Sequence, residues 1–212
     1  MKTIEICPQK IFEFQADDSL TDSIKSLLVD QEWESNVTDE GWLSNALSCD
    51  KSLHKDKRYD PLTLWIEDCI SQVKNEQGYE CEKLAITQMW GSLGACDSWH
   101  KTHMHLYSVL SGVFYLTNSN AKTWFSVPSI WEALSTHPAY TSMPVARHNL
   151  TDPISKIPSE KGKLIIFPSP LVHSVDKHLD PDNYRYTMSF NTFPCGEVGD
   201  FSAAAGLNIQ VL

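Results

Sequence analysis

Long apolar runs are missing from this chain. No stretch approaches the roughly 18 consecutive apolar residues of a membrane span, and the opening, Met1 to Cys7, lacks the apolar segment of a secretion signal. Basic residues are also scarce: 17 Lys plus Arg stand against 27 Asp plus Glu, a formal net charge of -10, and no Lys/Arg run offers a face for phosphates. Nucleic acid and membrane are therefore not expected as partners, and a cytoplasmic location is. The six cysteines are spread with gaps of 12 residues or more, which fits neither a dense disulfide scaffold nor a paired-cysteine zinc site.

What is present is enough for a core. Hydrophobic residues make up 42% of 212 residues, with 7 Trp, 7 Tyr and 8 Phe, so a folded domain is expected over 1–212 and disorder is not. Three parts are expected within it: a strand and helical support over 1–80, a β-rich core over 81–195, and a tail over 196–212. Ile4, Ile6, Phe12 and Phe14 suggest short strands at the start, and Ser19 with Asp22 resembles a capping box before Leu20, Ile24, Leu27 and Leu28. A second helix is predicted from Asp60-Pro61 to Gly78, because proline at a first helical position sacrifices no hydrogen bond. Polar, tryptophan-dotted loop is expected between the two helices.

After Cys81 the helical period gives way to strand signals over 83–90, 105–117, 163–167, 171–175 and 184–193. Residues 118–161 form a proline-rich excursion with a short strand at 123–127, and its Trp124, Phe125, Trp131, His137, Tyr140, Arg147 and His148 could lie over a cavity mouth. Ser111-Gly112 inside a strand predicts a bulge or a close backbone approach. Trp33, Trp42 and Trp65 are expected to cover the sheet from the helical side. His54, in a charged run, and His178, in a turn, are expected to be solvated.

The densest chemistry lies in His100-Lys101-Thr102-His103-Met104-His105. Side chains on a strand alternate faces, so His103 and His105 would project together with β-carbons about 7 Å apart, close enough to share a metal, while His100 has the other parity. His173, after a buried-type strand and a proline turn, is the candidate third ligand. Tyr107 and Tyr115 share parity with His105. Beyond them, Arg185, Thr187, Ser189 and Asn191 alternate with apolar residues on one strand face. The chain has only three arginines, at 58, 147 and 185. A guanidinium here could grip a carboxylate with two parallel hydrogen bonds and Thr187 could add a hydroxyl, which is how a dicarboxylate would be held.

In order and spacing, four motifs resemble the Fe(II)- and 2-oxoglutarate-dependent oxygenases, and more narrowly a subgroup of marine bacteria and their phages. They are His103-Met104-His105, Ser111 to Leu116, Phe167-Pro168-Ser169 through His173-Ser174-Val175, and Arg185 to Asn191. The resemblance covers roughly 84–193. It implies a mainly β (α+β) fold, a double-stranded β-helix or jelly-roll with the two N-terminal helices outside. It also implies Fe(II) on His103 and His173, with 2-oxoglutarate anchored by Arg185 and Thr187; His105, on the same strand face as His103, is the expected third ligand. Dioxygen and an unidentified organic substrate, hydroxylated in the reaction, complete the expected partners. A homodimer is compatible with the pattern, and a phage-encoded chain would work in the host cytoplasm.

The departure is His105, where the wider superfamily has Asp or Glu, completing a two-histidine, one-carboxylate face on iron. That leaves two alternatives: a cupin-like three-histidine dioxygenase that uses no oxoacid, and a zinc hydrolase on the same scaffold. The glutamate that usually follows a cupin His-x-His is absent, Ser108, Val109 and Leu110 standing there. Asp97 is the other candidate carboxylate.

Overall fold

The computed structural model describes residues 10–37, 43–126, 154–202 and 205–211. In chain order these form β1 (Phe12–Gln15), α1 (Asp18–Val29), β2 (Trp33–Val37), β3 (Leu43–Ser48), two 3-10 turns (Leu53–Lys55 and Lys57–Tyr59) and α2 (Asp60–Gln77). There follow β4 (Cys81–Gly94), β5 (His100–His103), β6 (Leu110–Tyr115), β7 (Ser119–Ser126), β8 (Ile154–Ser159), β9 (Lys163–Pro168), β10 (Val172–Val175), β11 (Arg185–Asp200) and β12 (Ala205–Ile209).

Each helix has an identifiable start and stop. The Asp17 carboxylate accepts the Leu20 N–H at 2.8 Å and caps α1, so the cap lies two residues before Ser19. The α2 helix carries Pro61 in its first turn and ends on Gly78, whose φ of 70° is the left-handed cap that glycine adopts without a Cβ clash. Between the helices, where loop is expected from composition, β2 and β3 pair antiparallel from Trp33↔Ser48 to Val37↔Leu43. Their polar sequences hide the period; pairing of β3 with β4 at Ala46↔Leu93 and Leu47↔Ser92 makes them strands.

The larger sheet runs β1-β9-β6-β11-β4-β3-β2, with β12 on the far end of β11, and the smaller runs β5-β10-β7-β8. From β4 to β11 the chain passes back and forth between the sheets, and all the paired strands are antiparallel. This is the double-stranded β-helix, or jelly-roll. The alternation along each strand sorts residues to the two faces of the larger sheet. Phe114, Leu116, Leu164, Ile166, Met188 and Phe190 meet Ile24 and Leu28 of α1 and Leu62, Ile66 and Ile70 of α2 in the outer core. Tyr115, Ile165 and Phe167 turn the other way and meet Phe125, Ile157 and Leu171 between the sheets. On β11 this leaves Arg185, Thr187 and Asn191 pointing inward, all under 10% exposed. A polar strand face here lines an interior instead of meeting water.

Trp33 meets Tyr186 edge-on at 6.1 Å and Trp65 meets Phe114 at 5.4 Å, both on the helical side; Trp42 lies outside the described residues. The excursion contributes β7 and β8 to the smaller sheet, and Trp131, His137, Tyr140, Arg147 and His148 lie outside the described residues. No helix among the described residues is long and apolar enough to cross a membrane.

Gly112 sits in regular register on both sides, opposite Ile166 and Phe190, so it marks a close approach and no bulge. A Cβ added there would run into the Phe190 ring and stand 3.0 Å from the Ile165 carbonyl oxygen. Phe190 is fully buried and cannot step aside. Gly112→Ala is expected to destabilise the fold by about 1–3 kcal/mol, read as a lower midpoint in denaturant unfolding; an unchanged midpoint would refute the close approach.

Candidate metal centre

Two strands of the smaller sheet bring the first two imidazoles together. His103 on β5 is paired directly with His173 on β10, so their side chains share a face and their ring centroids lie 4.2 Å apart. Each ring is held in one tautomer by a local carbonyl. His103 Nδ1 lies 2.8 Å from the Lys101 carbonyl oxygen and His173 Nδ1 lies 2.8 Å from that of Leu171. A carbonyl only accepts, so both Nδ1 atoms carry the proton and both Nε2 atoms carry the lone pair that a ligand site needs, that of His173 meeting His105 Nε2 in a hydrogen bond.

His105 arrives differently. The strand expected over 105–117 does not begin until Leu110, and His105 stands two residues beyond β5 in irregular chain. Its N–H donates to the Ser169 carbonyl at 3.0 Å, the Ser169 N–H donates to that of Val109 at 3.0 Å, and the Val109 N–H donates to that of Thr192 at 2.9 Å. Side-chain hydroxyls reinforce this seam: Ser169 to Ser108 at 2.7 Å, Ser111 to Ser169 at 2.8 Å, and Ser111 to Asn191 Oδ1 at 2.7 Å. The irregular segment is thus hydrogen-bonded to the turn that precedes His173 and to β11. Tyr107, within it, adopts a φ of 56° and is 92% exposed, so it does not point into the barrel. Tyr115 does, buried, with its hydroxyl 2.7 Å from Thr123 Oγ1.

The potential ligand atoms of His103, His105 and His173 lie within 4.8 Å of one another, and this is the group of metal-ligating side chains found among the described residues. Nε2 of His105 and Nε2 of His173 are 3.2 Å apart. Two imidazoles at right angles on one ion about 2.1 Å away would stand about 3.0 Å apart, so the donor set fits a divalent transition metal. Imidazole suits iron among others. Asp97 takes no part: its side chain is 74% exposed and its carboxylate lies 3.9 Å from Lys177 Nζ.

The cavity beside this triad is lined also by His100, Thr123, Arg185, Thr187, Trp90 and Asn45. Arg185 is 7% exposed; its Nε donates to Ser159 Oγ at 3.3 Å and its guanidinium carbon lies 5.6 Å from the centre of the Tyr115 ring. Among the described residues no carboxylate pairs with it, and burial pushes its pKa below the usual value. Thr187, two residues on, is 2% exposed on the same strand face.

Three histidines lie elsewhere than strand parity, a turn and a charged run predict. A shift of register between His173 and Val175 turns His100 to the face of His103, with ring centroids 4.3 Å apart. His178 is 1% exposed, its ring bonded to Ser119 Oγ at 2.9 Å and the Asn183 carbonyl at 2.6 Å, because β7 covers the turn. His54 is half-buried, not solvated. No local pattern signals the bulge, since it is a property of two strands.

The model of a family described as "Putative 2OG-Fe(II) oxygenase" matches residues 88–191, from β4 to β11. Over this span, just under half of the chain, the sequence is similar to that 2OG-Fe(II) oxygenase family. No curated protein matches the sequence. Among solved structures, the chain is similar to SnoN, a non-heme alpha ketoglutarate dependent epimerase from nogalamycin biosynthesis. The TM-score is 0.64 at 11% identity, over 91% of this chain and 79% of that one. It is similar to HygX from Streptomyces hygroscopicus, solved with nickel and 2-oxoglutarate (TM-score 0.59, 13% identity, 88% and 83% covered). It is also similar to a prolyl-4-hydroxylase of Pseudomonas putida (TM-score 0.60, 11% identity, 89% and 94% covered). These distant likenesses establish the fold. The family depends on Fe(II) and 2-oxoglutarate.

Burial sets the protonation of the metal-free site. It holds the His100 and His173 pKa values down to about 3 and that of His105 down to about 4, and it lowers His103 as well. In the unfolded chain these groups titrate near 6.5. Between that value and about 3 to 4 the unfolded state binds more protons, so stability rises with pH and is lost on acidification. The metal-free protein is expected to show a melting temperature that falls steadily from pH 7 to pH 5; a flat profile would contradict neutral, buried imidazoles.

Proposed function

We propose that His103, His105 and His173 hold the Fe(II) of this oxygenase through their Nε2 atoms, that Arg185 and Thr187 bind the far carboxylate of 2-oxoglutarate, and that the reaction hydroxylates an organic substrate. The observation that carries the reading is the unpaired cation. A guanidinium stays charged in a protein, and a buried charge without a partner costs several kcal/mol. Arg185 is buried on the same cavity as the three imidazoles, and among the described residues no carboxylate neutralises it. A dianion spanning the cavity satisfies both ends.

When bound, Fe(II) and 2-oxoglutarate supply the activation of dioxygen and the oxidative decarboxylation that drives substrate oxidation. The chain's own residues hold, orient and enclose. The Lys101 and Leu171 carbonyls keep His103 and His173 turned with their lone pairs toward one point. Ser159 and Tyr115 fix the guanidinium from two sides, leaving its remaining N–H groups for the anion. Tyr115, Phe125 and Phe167 make the barrel wall around the site apolar, which strengthens the charge contacts within it and limits water.

Arg185→Ala should raise the dissociation constant for 2-oxoglutarate by about 100-fold, the loss of a bidentate charge-assisted contact, while metal affinity changes less than threefold. Both are measurable by anaerobic calorimetry of the metal-loaded protein. His173→Ala should abolish metal binding in the same assay. Unchanged co-substrate affinity in the arginine variant would remove the oxoacid from this cavity.

A further inference from the structure

The cavity contains a fourth imidazole to which the metal set assigns no role. In a regular strand His100 would face away from His103, three residues on. Instead His103 pairs with His173 and His100 with Val175, so Lys101 and Thr102 together stand opposite Ser174 alone. The extra residue re-aims the strand, as bulges beside functional sites do. It brings His100 onto the cavity wall with its ring 4.3 Å from that of His103 and tilted 33° to it.

The His100 ring nitrogens have no hydrogen-bond partner among the described residues, in contrast to His103, His173 and His178, each fastened to a carbonyl. His100 lines the same cavity as the three imidazoles, Arg185 and Thr187. A dianion held between the metal ligands and Arg185 would occupy the cavity whose wall this ring helps to form. At neutral pH the ring carries one N–H donor and one lone pair, and an N–H suits an oxygen of an anion.

We propose that His100 is a co-substrate-binding residue, its ring N–H donating a hydrogen bond to the metal-chelating end of 2-oxoglutarate while Arg185 takes the other end. The proposal rests on the assignment of this cavity to 2-oxoglutarate. It gives the β5–β10 bulge a purpose: it turns inward, in one irregularity, both the Lys101 carbonyl that orients His103 and the His100 side chain that meets the ligand.

The test is anaerobic calorimetric titration of Fe(II)-loaded wild type, His100→Ala and His100→Asn with 2-oxoglutarate, preceded by titration of each metal-free protein with Fe(II). The alanine variant should bind 2-oxoglutarate about tenfold more weakly, the loss of one hydrogen bond to a charged group. Asparagine, which keeps an N–H donor, should recover the affinity to within threefold, and Fe(II) affinity should stay within threefold throughout. An unchanged 2-oxoglutarate constant in His100→Ala overturns the proposal. So does a parallel loss of Fe(II), which would make His100 a support of the metal ligands. If the Fe(II)-loaded wild type itself binds no 2-oxoglutarate, the assignment of the cavity fails first, visibly before any substitution, and the role of His100 falls with it.

Discussion

The pairing of β5 with β10 is the constraint on which the site depends. An antiparallel register that sets His103 opposite His173 places two imidazoles on one face without any loop having to be ordered for the purpose. The main-chain carbonyls of Lys101 and Leu171, each two residues before its histidine, then choose the tautomer of both rings by the same device. One residue more or less between the partners would send a ring to the outer face, because strand side chains alternate. The bulge is tolerated since it falls beyond the His103–His173 pair, toward His100 and Val175.

His105 depends on a different kind of support. No ladder holds it, and the chain around it includes a residue in the left-handed region. A seam of buried hydroxyls and main-chain bonds, from Ser108 and Ser169 to Ser111, Asn191 and Thr192, substitutes for a strand partner. Such networks hold position well when every member is satisfied. The seam also ties the irregular segment to β11, the strand that carries Arg185 and Thr187, so the imidazoles and the guanidinium are referred to one framework.

Charge explains why the cavity suits a dianion. On the proposed assignment three neutral imidazoles would leave a divalent ion uncompensated, where a set with one carboxylate would cancel one unit. Arg185 adds another positive charge in an interior where screening is weak. The Asp97 carboxylate that could have balanced the metal faces solvent near Lys177. An anionic co-substrate with a carboxylate at each end would relieve both sites at once, as the proposed function requires.

Some of this is written locally and some is not. The helix from Asp60 to Gln77, the apolar strand Lys163–Pro168 and the alternation along β11 are legible because each follows from short-range periodicity and end residues: proline at a start, glycine at a stop, every second side chain to one face. The order of the motifs likewise pointed to the jelly-roll and its family. The direction in which the polar face of β11 looks was not local, because water and a cavity accept the same residues; only the opposing sheet turned Arg185 and Thr187 inward. The β2–β3 pair, the burial of His178 and the turning of His100 belong to the same class. Each is decided by what lies across a strand or over a turn, and pairing register and burial are properties of two segments together, which no single stretch of sequence contains.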